Sequence, residues 1–233
     1  METAILNKLR PKRSRRLISL LPAKRWLYYL LHPNKGQVYI QNTDLSRLPA
    51  LPDIMPLSMK EMATDSEQDR QAWLQIIGES FSRSLNPADF IKAITDHNEY
   101  LVEHTYFLMR DGEPIGAVSW GIFRKNKKMG VTHYLGIRKS CLGRGLGKYL
   151  ILYALHKMRD EGITLCECES NLEHLRSLLI HFDFGFQPKK RDDWNVGNIT
   201  PWPFNILARR RFDALYGRRQ KEWGRLKNHD SPA

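Results

Sequence analysis

The chain has 233 residues, 42% of them hydrophobic, and a formal net charge of +12 at pH 7. That length and apolar content suit one packed core with extensions. The most apolar run, Leu17 to Leu31, is cut by Pro22, Lys24 and Arg25 well short of the roughly 20 residues a membrane span needs, and three cysteines, Cys141, Cys166 and Cys168, do not suggest a disulfide framework.

The charge sits at the ends. Residues 1–60 carry 11 Lys and Arg against 3 Asp and Glu, residues 189–233 carry 11 against 5, and residues 61–188 carry 15 against 17. The expected organisation is a basic N-terminal extension over 1–54, a folded domain over 55–200 and a basic amphipathic C-terminal extension over 201–233. Such ends could meet nucleic acid, an anionic membrane surface or a phosphorylated substrate; a solvated surface is the plain alternative. The basic start followed by Leu17-Ile-Ser-Leu-Leu imitates a secretory leader, but it runs into Lys24-Arg25, so the expected location is cytoplasmic.

In chain order, Arg10 to Arg16 reads as a flexible basic arm, Leu17 to Leu31 as a short amphipathic stretch and Gln37 to Ile40 as a short strand; prolines 49, 52 and 56 read as a linker. The core starts near Met55. Leu57 to Met62 predicts a strand, and Ser66-Glu-Gln-Asp opens a helix through Trp73, Ile76, Ile77 and Phe81. A second helix starts at Asn86-Pro87, where the missing proline N–H costs nothing. Thr105 to Arg110 and Pro114 to Phe123 form a hairpin about Asp111-Gly112. A polar turn at Lys125 to Lys128 precedes a strand, Gly130 to Ile137, then a glycine-rich loop and an apolar helix from Leu146 to about Arg159. Gly162 ends that helix. Ile163 to Glu169 alternates like a half-buried strand, and Leu172, Leu175, Leu178, Leu179 and Phe182 mark a last core helix before Gly185-Phe186. Ala208, Phe212, Leu215, Tyr216, Trp223 and Leu226 recur at helical spacing among arginines. That helix could dock on the domain, pack on Leu17 to Leu31, lie on a membrane or form a homodimer contact.

Gly143, Gly145 and Gly147 between a strand and a helix suit a phosphate, because glycine lets backbone N–H groups approach an anion and the first helical turn adds unpaired donors. A nucleoside-triphosphate loop does not fit: Leu142 stands at its first glycine and Tyr149 at its hydroxyl. A dinucleotide fingerprint fails on spacing and on the antiparallel strands that come first. Gly116 to Gly121 lacks the spacing and context of a serine-hydrolase elbow. The histidines show no zinc spacing and no metal is implied; Cys166 and Cys168 read as buried thiols.

Residues 135–147 resemble the acyl-coenzyme A pyrophosphate loop of the GNAT superfamily of N-acetyltransferases, written Arg/Gln-x-x-Gly-x-Gly/Ala. Gly145 and Gly147 stand at its two required positions and Gly143 at a common extra glycine, while Leu142 departs from the usual Arg or Gln. Asn171 to Pro188 resembles the family's later helix. Asn171, Gly185, Phe186 and Pro188 match, Ser177 replaces an alanine, and His174 and His181 replace Arg/Asn and Tyr. The resemblance spans residues 55–190.

It implies a mixed α/β fold: a mostly antiparallel twisted sheet flanked by helices, splayed open between the glycine-loop strand and the next. Acetyl-CoA would enter that split as co-substrate, its pantetheine arm pairing with Thr132 to Ile137. Leu135, Ile137, Leu142, Gly143, Arg144, Gly145, Leu146, Gly147, Lys148, Asn171 and His174 are the expected coenzyme contacts. Main-chain N–H groups near Leu135 and Gly136 would bind the oxyanion. His181, at the family's tyrosine position, would protonate the departing thiolate, and His133 or Glu167, with Glu169 beside it, would deprotonate the amine. The acceptor would be a primary amine of a small molecule or peptide, met partly by the loop Lys189 to Trp202. The alternative is a non-catalytic adaptor of the same fold whose basic ends bind nucleic acid or an anionic membrane.

Overall fold

A computed structural model describes residues 37–63, 65–96, 100–123, 126–189 and 210–221. One seven-stranded sheet organises them. Its strands are β1 (Gln37–Asn42), β2 (Ser58–Glu61), β3 (Tyr100–Arg110), β4 (Glu113–Phe123), β5 (Asn126–Ile137), β6 (Leu165–Asn171) and β7 (Gln187–Pro188), in the order β2-β3-β4-β5-β6-β1-β7. Every pairing is antiparallel except β5 with β6. Helix α1 (Glu67–Phe81) and the short α2 (Pro87–Phe90) cover one face; α3 (Leu146–Asp160) and α4 (Leu175–Asp183) cover the other. The mixed, mostly antiparallel sheet with flanking helices is the expected fold class.

The local signals act as read. Ser66 caps α1 by accepting from the Asp69 N–H at 3.1 Å, and the Asp69 carboxylate ties the helix start to β2 through Lys60 at 2.6 Å and to the Ala63 N–H at 2.9 Å. Asn86 and Asp89 form a capping box around Pro87, after which the chain continues as one π-helical turn, Ile91–Thr95. Asp111 and Gly112 both have positive φ, 51° and 81°, the turn that matches the twist of the β3–β4 hairpin.

Helix α1 crosses β5 at Gly136. A Cβ there would stand 2.8 Å from Ile77 Cδ1, 2.9 Å from Ser80 Oγ and 3.0 Å from Ile76 Cγ2. Gly136→Ala should therefore force α1 off the sheet and cost about 1–3 kcal/mol, read as a lower midpoint in urea.

Two features differ from the sequence reading, and a third takes one of the alternatives it left open. Strand β5 begins at Asn126, inside the expected polar turn. The expected short strand at Gln37 is longer and belongs to the sheet: β1 lies between β6 and β7, with Val38 and Ile40 fully buried. The sheet thus takes in residues on the N-terminal side of residue 55. The C-terminal helix, α5 (residues 210–221), docks on α4, with Phe212 fully buried 5.1 Å from Phe182, Tyr216 at 4.9 Å from the same ring, and Arg219 paired with Asp183 at 3.1 Å. Leu17 to Leu31 and the loop Lys190 to Trp202 lie outside the described residues. Among the described residues no helix is long and apolar enough to cross a membrane.

Candidate active site

Strands β5 and β6 run parallel and in register only from Met129↔Leu165 to Thr132↔Cys168. Past that pair they part: β5 runs on to Ile137 along β4, and β6 runs on to Asn171 along β1. The outer edge of β5 is thereby left without a strand partner, and it leads into the glycine loop. The register between β4 and β5 shifts between Val118↔Leu135 and Trp120↔Thr132, so a bulge falls at His133 and Tyr134. Their rings lie on the same side, centroids 4.0 Å apart, which a regular strand would not allow.

At the far end of β5 the edge is closed by a residue the sequence reading missed. Ser80 Oγ accepts from the Ile137 N–H at 2.9 Å and donates to the Ile137 carbonyl at 3.0 Å. Ile137 therefore cannot pair with a pantetheine arm while Ser80 holds it, and the free edge is shorter than expected. Arg138 fastens the start of the loop, bonding the Pro114 carbonyl at 2.9 Å, Gln75 at 2.8 Å and Glu79 at 3.4 Å.

Gly143 and Gly145 have φ of 80° and 75°, and a Cβ on either would meet nothing within 4 Å. Glycine is required at these positions for conformation, not for room. Gly145 caps α3, and among the described residues no backbone acceptor takes the N–H groups of residues 143–147. This is an anion cradle at a helix N-terminus. Leu142 is 53% exposed beside it, and Arg144 is exposed. Lys148, expected to add charge, is engaged elsewhere: its ammonium pairs with Asp183 at 3.0 Å. Leu135 and Ile137 pack their side chains into the core under α3, so what they could offer a ligand is main chain.

His181 is 1% exposed. Its Nδ1 is 2.8 Å from the Ser177 carbonyl, which fixes the donor there, and its Nε2 is 3.1 Å from Thr132 Oγ1, at the point where the strands part. Burial disfavours the charged ring, but the charge and hydrogen bond of Cys168 and the Ser177 carbonyl outweigh it and hold the His181 pKa above its ordinary value. Cys168 is buried too; the His181 charge and hydrogen bonds from His181 and Thr132 overcome that burial and bring its thiol below the usual range. Cys166, two residues away, is pushed well up by burial.

Other expected site residues are dispersed. Glu167 is bound by Lys189 and only 13% exposed. His174 does not join His181; it packs edge-on against Phe81 at 5.2 Å, on the α1 side. Asn171 ends β6 at the rim of the split. A groove of about 600 Å³ runs along α1 between Gln71, Glu79, Arg83, Pro114 and Arg138, and none of the expected site residues lines it. The described residues contain no group of three or more His, Cys, Asp or Glu able to hold a metal.

Comparison with known proteins points the same way. A model of the acetyltransferase (GNAT) family matches residues 70–186. No curated protein matches the chain. Among solved structures, a GCN5-related N-acetyltransferase from Sphaerobacter thermophilus superposes with a TM-score of 0.56 at 14% identity, over 70% of this chain and 52% of that one. A GNAT-family acetyltransferase from Colwellia psychrerythraea gives 0.53 at 13% identity, over 66% and 52%. A chain of the NatC complex bound to Gag peptide and CoA gives 0.50 at 20% identity, over 58% and 87%. The chain thus spans about half the length of the first two, and at these identities the likeness is one of fold. With the family match covering the split, the glycine loop and α4, the chain belongs to the acetyltransferase (GNAT) family.

Proposed function

We propose that the protein transfers an acetyl group from acetyl-CoA to a primary amine on a small molecule or peptide, by direct attack of the amine on the thioester. The observation that carries this reading is the continuity of two features: a sheet that opens past Thr132↔Cys168, and an anion cradle of unpaired N–H groups at Gly143 to Gly147 where the open edge ends. Pyrophosphate in the cradle would lay the pantetheine arm along the free edge of β5 as an added strand and bring the thioester to the bulge. The main-chain N–H of Leu135, which points to the same open edge as that of Ile137, would then face the developing oxyanion, while the N–H of Gly136 points to β4.

His133 is the better placed base, standing partly exposed in the bulge, since Glu167 is already engaged by Lys189. His181, held protonated to higher pH than a free histidine, supplies the proton for the departing thiolate. Calorimetry with acetyl-CoA, followed by a thiol-release screen over amino acids, amino sugars, polyamines and peptide N-termini, tests the assignment. Micromolar binding and thiol release with one amine class are expected. A protein that binds no coenzyme, yet binds anionic lipid or nucleic acid with a steep salt dependence, would instead be the adaptor.

A further inference from the structure

Past the bulge, the ladder between β4 and β5 alternates: Gly136 and Arg138 turn their N–H groups to β4, while Leu135 and Ile137 turn N–H and C=O to the open edge. Two residues therefore present the same pair of groups, two positions or about 7 Å apart along the strand. Either could take a thioester carbonyl on its N–H and the nearest amide N–H of a pantetheine arm on its C=O. Ser80 removes that ambiguity, since its hydroxyl bonds both groups of Ile137, at 2.9 and 3.0 Å. Among the described residues no such bond reaches the outward groups of Leu135.

We propose that Ser80 sets the register of the acyl-coenzyme arm on β5, leaving Leu135 as the one docking point past the bulge. This rests on the acyl-transfer reading above. With its carbonyl on the Leu135 N–H, the thioester lies beside the bulge that carries His133 and Tyr134. Docked on Ile137 instead, it would be drawn about 7 Å toward the glycine loop, away from that bulge and from the base. The second register holds the coenzyme without presenting it to the amine. Ser80 touches neither substrate nor reacting atoms; it is a positioning residue that acts through Ile137.

The hydroxyl is not needed to hold the strand. Helix α1 grips the same stretch at three other places: Ile76 and Ile77 close on Gly136, Gln75 and Glu79 bond Arg138, and the Glu79 carboxylate accepts from the Lys139 N–H at 3.2 Å. Strand β4 adds the Ile115 carbonyl, which accepts from the Arg138 N–H at 2.9 Å. Ser80 itself is exposed, so removing its oxygen opens no core cavity and leaves both groups of Ile137 available. Ile137 also lies nearer the cradle that anchors the other end of the arm, and the shorter tether favours docking there.

The test uses the full chain with acetyl-CoA, alone in the calorimeter and with the amine found in the screen for turnover. Ser80→Ala should bind acetyl-CoA about three- to tenfold more tightly than the wild type, at an unchanged urea midpoint. In turnover, kcat and KM for acetyl-CoA should fall together by a similar factor, leaving kcat/KM within about twofold, as unproductive binding requires. Ser80→Thr, which keeps the hydroxyl, should restore both constants. The register assignment alone is overturned if Ser80→Ala binds acetyl-CoA more weakly or keeps wild-type constants, or if its kcat falls while KM does not. A wild-type protein that binds no acetyl-CoA overturns the acyl-transfer reading itself, and the register with it.

Discussion

Replacing Gly145 by glutamate should abolish acetyl-CoA binding and leave the fold in place. The residue caps α3 at φ 75°, a conformation that a side chain with a Cβ adopts at a cost of roughly 1–2 kcal/mol. No atom lies within 4 Å of the added Cβ, so the glutamate does not clash and the core is untouched. Its carboxylate instead stands at the mouth of the cradle, where it repels pyrophosphate and competes for the same N–H donors. Each charge-assisted hydrogen bond lost is worth roughly 1.5–3 kcal/mol, so weakening of about 100-fold or more is expected by calorimetry, with an unchanged far-ultraviolet spectrum. Normal binding would sink the loop assignment. Gly145→Ala separates the two contributions: it carries the strain without the charge and should bind more weakly than wild type but measurably.

Turnover, in contrast, should depend on His181. His181→Phe keeps a ring of similar breadth against Phe186, whose centroid is 4.9 Å away, but removes both nitrogens. A fall in kcat of about 100-fold is expected, with KM for acetyl-CoA changed far less. His181→Gln, which can still bond Thr132, should behave alike and guards against a loss that reflects packing alone. The pH profile supplies the sign. Because the imidazole pKa is raised, the proton is held to higher pH than on a free imidazole and is lost as pH rises through that raised value. Wild-type kcat should therefore fall on the alkaline side, later than a free histidine would dictate, and the variants should lack that limb. Unchanged turnover in both variants would remove His181 from the mechanism.

The readable parts of this chain are those whose physics is local. Ser66 before Glu67 and Asp69, the Asn86-Pro87 pair, the Asp111-Gly112 turn and the loop glycines Gly143 and Gly145 each determine backbone geometry within a few residues, and each does so here. What stayed hidden depends on partners far along the chain. Gln37 to Asn42 reads as a minor strand because nothing near it reveals that Leu165 to Asn171 will pair with it. Ser80 looks like an ordinary helix surface residue until Ile137 arrives, and Lys148 looks free until α4 brings Asp183 beside it. The bond between His181 and Thr132 needs α4 laid over the sheet where β5 and β6 part.

The position of β1 also bears on how the chain assembles. Its strand is complete once residue 42 has been made, but its neighbours, β6 and β7, come from residues 165–171 and 187–188. During synthesis the β3-β4-β5 meander can close from local hairpins alone, while the first strand waits for the last to appear. Such distant pairing is slow, because the loop entropy is lost before any contact forms in return. The half of the sheet carrying Cys168 should therefore be the last to gain protection in pulse-labelled hydrogen exchange, well after the hairpin of β3 and β4. The protein would then pass through a stage with β5 already in place and its outer edge open along the whole length, the stage at which coenzyme could be bound earliest or aggregation begin.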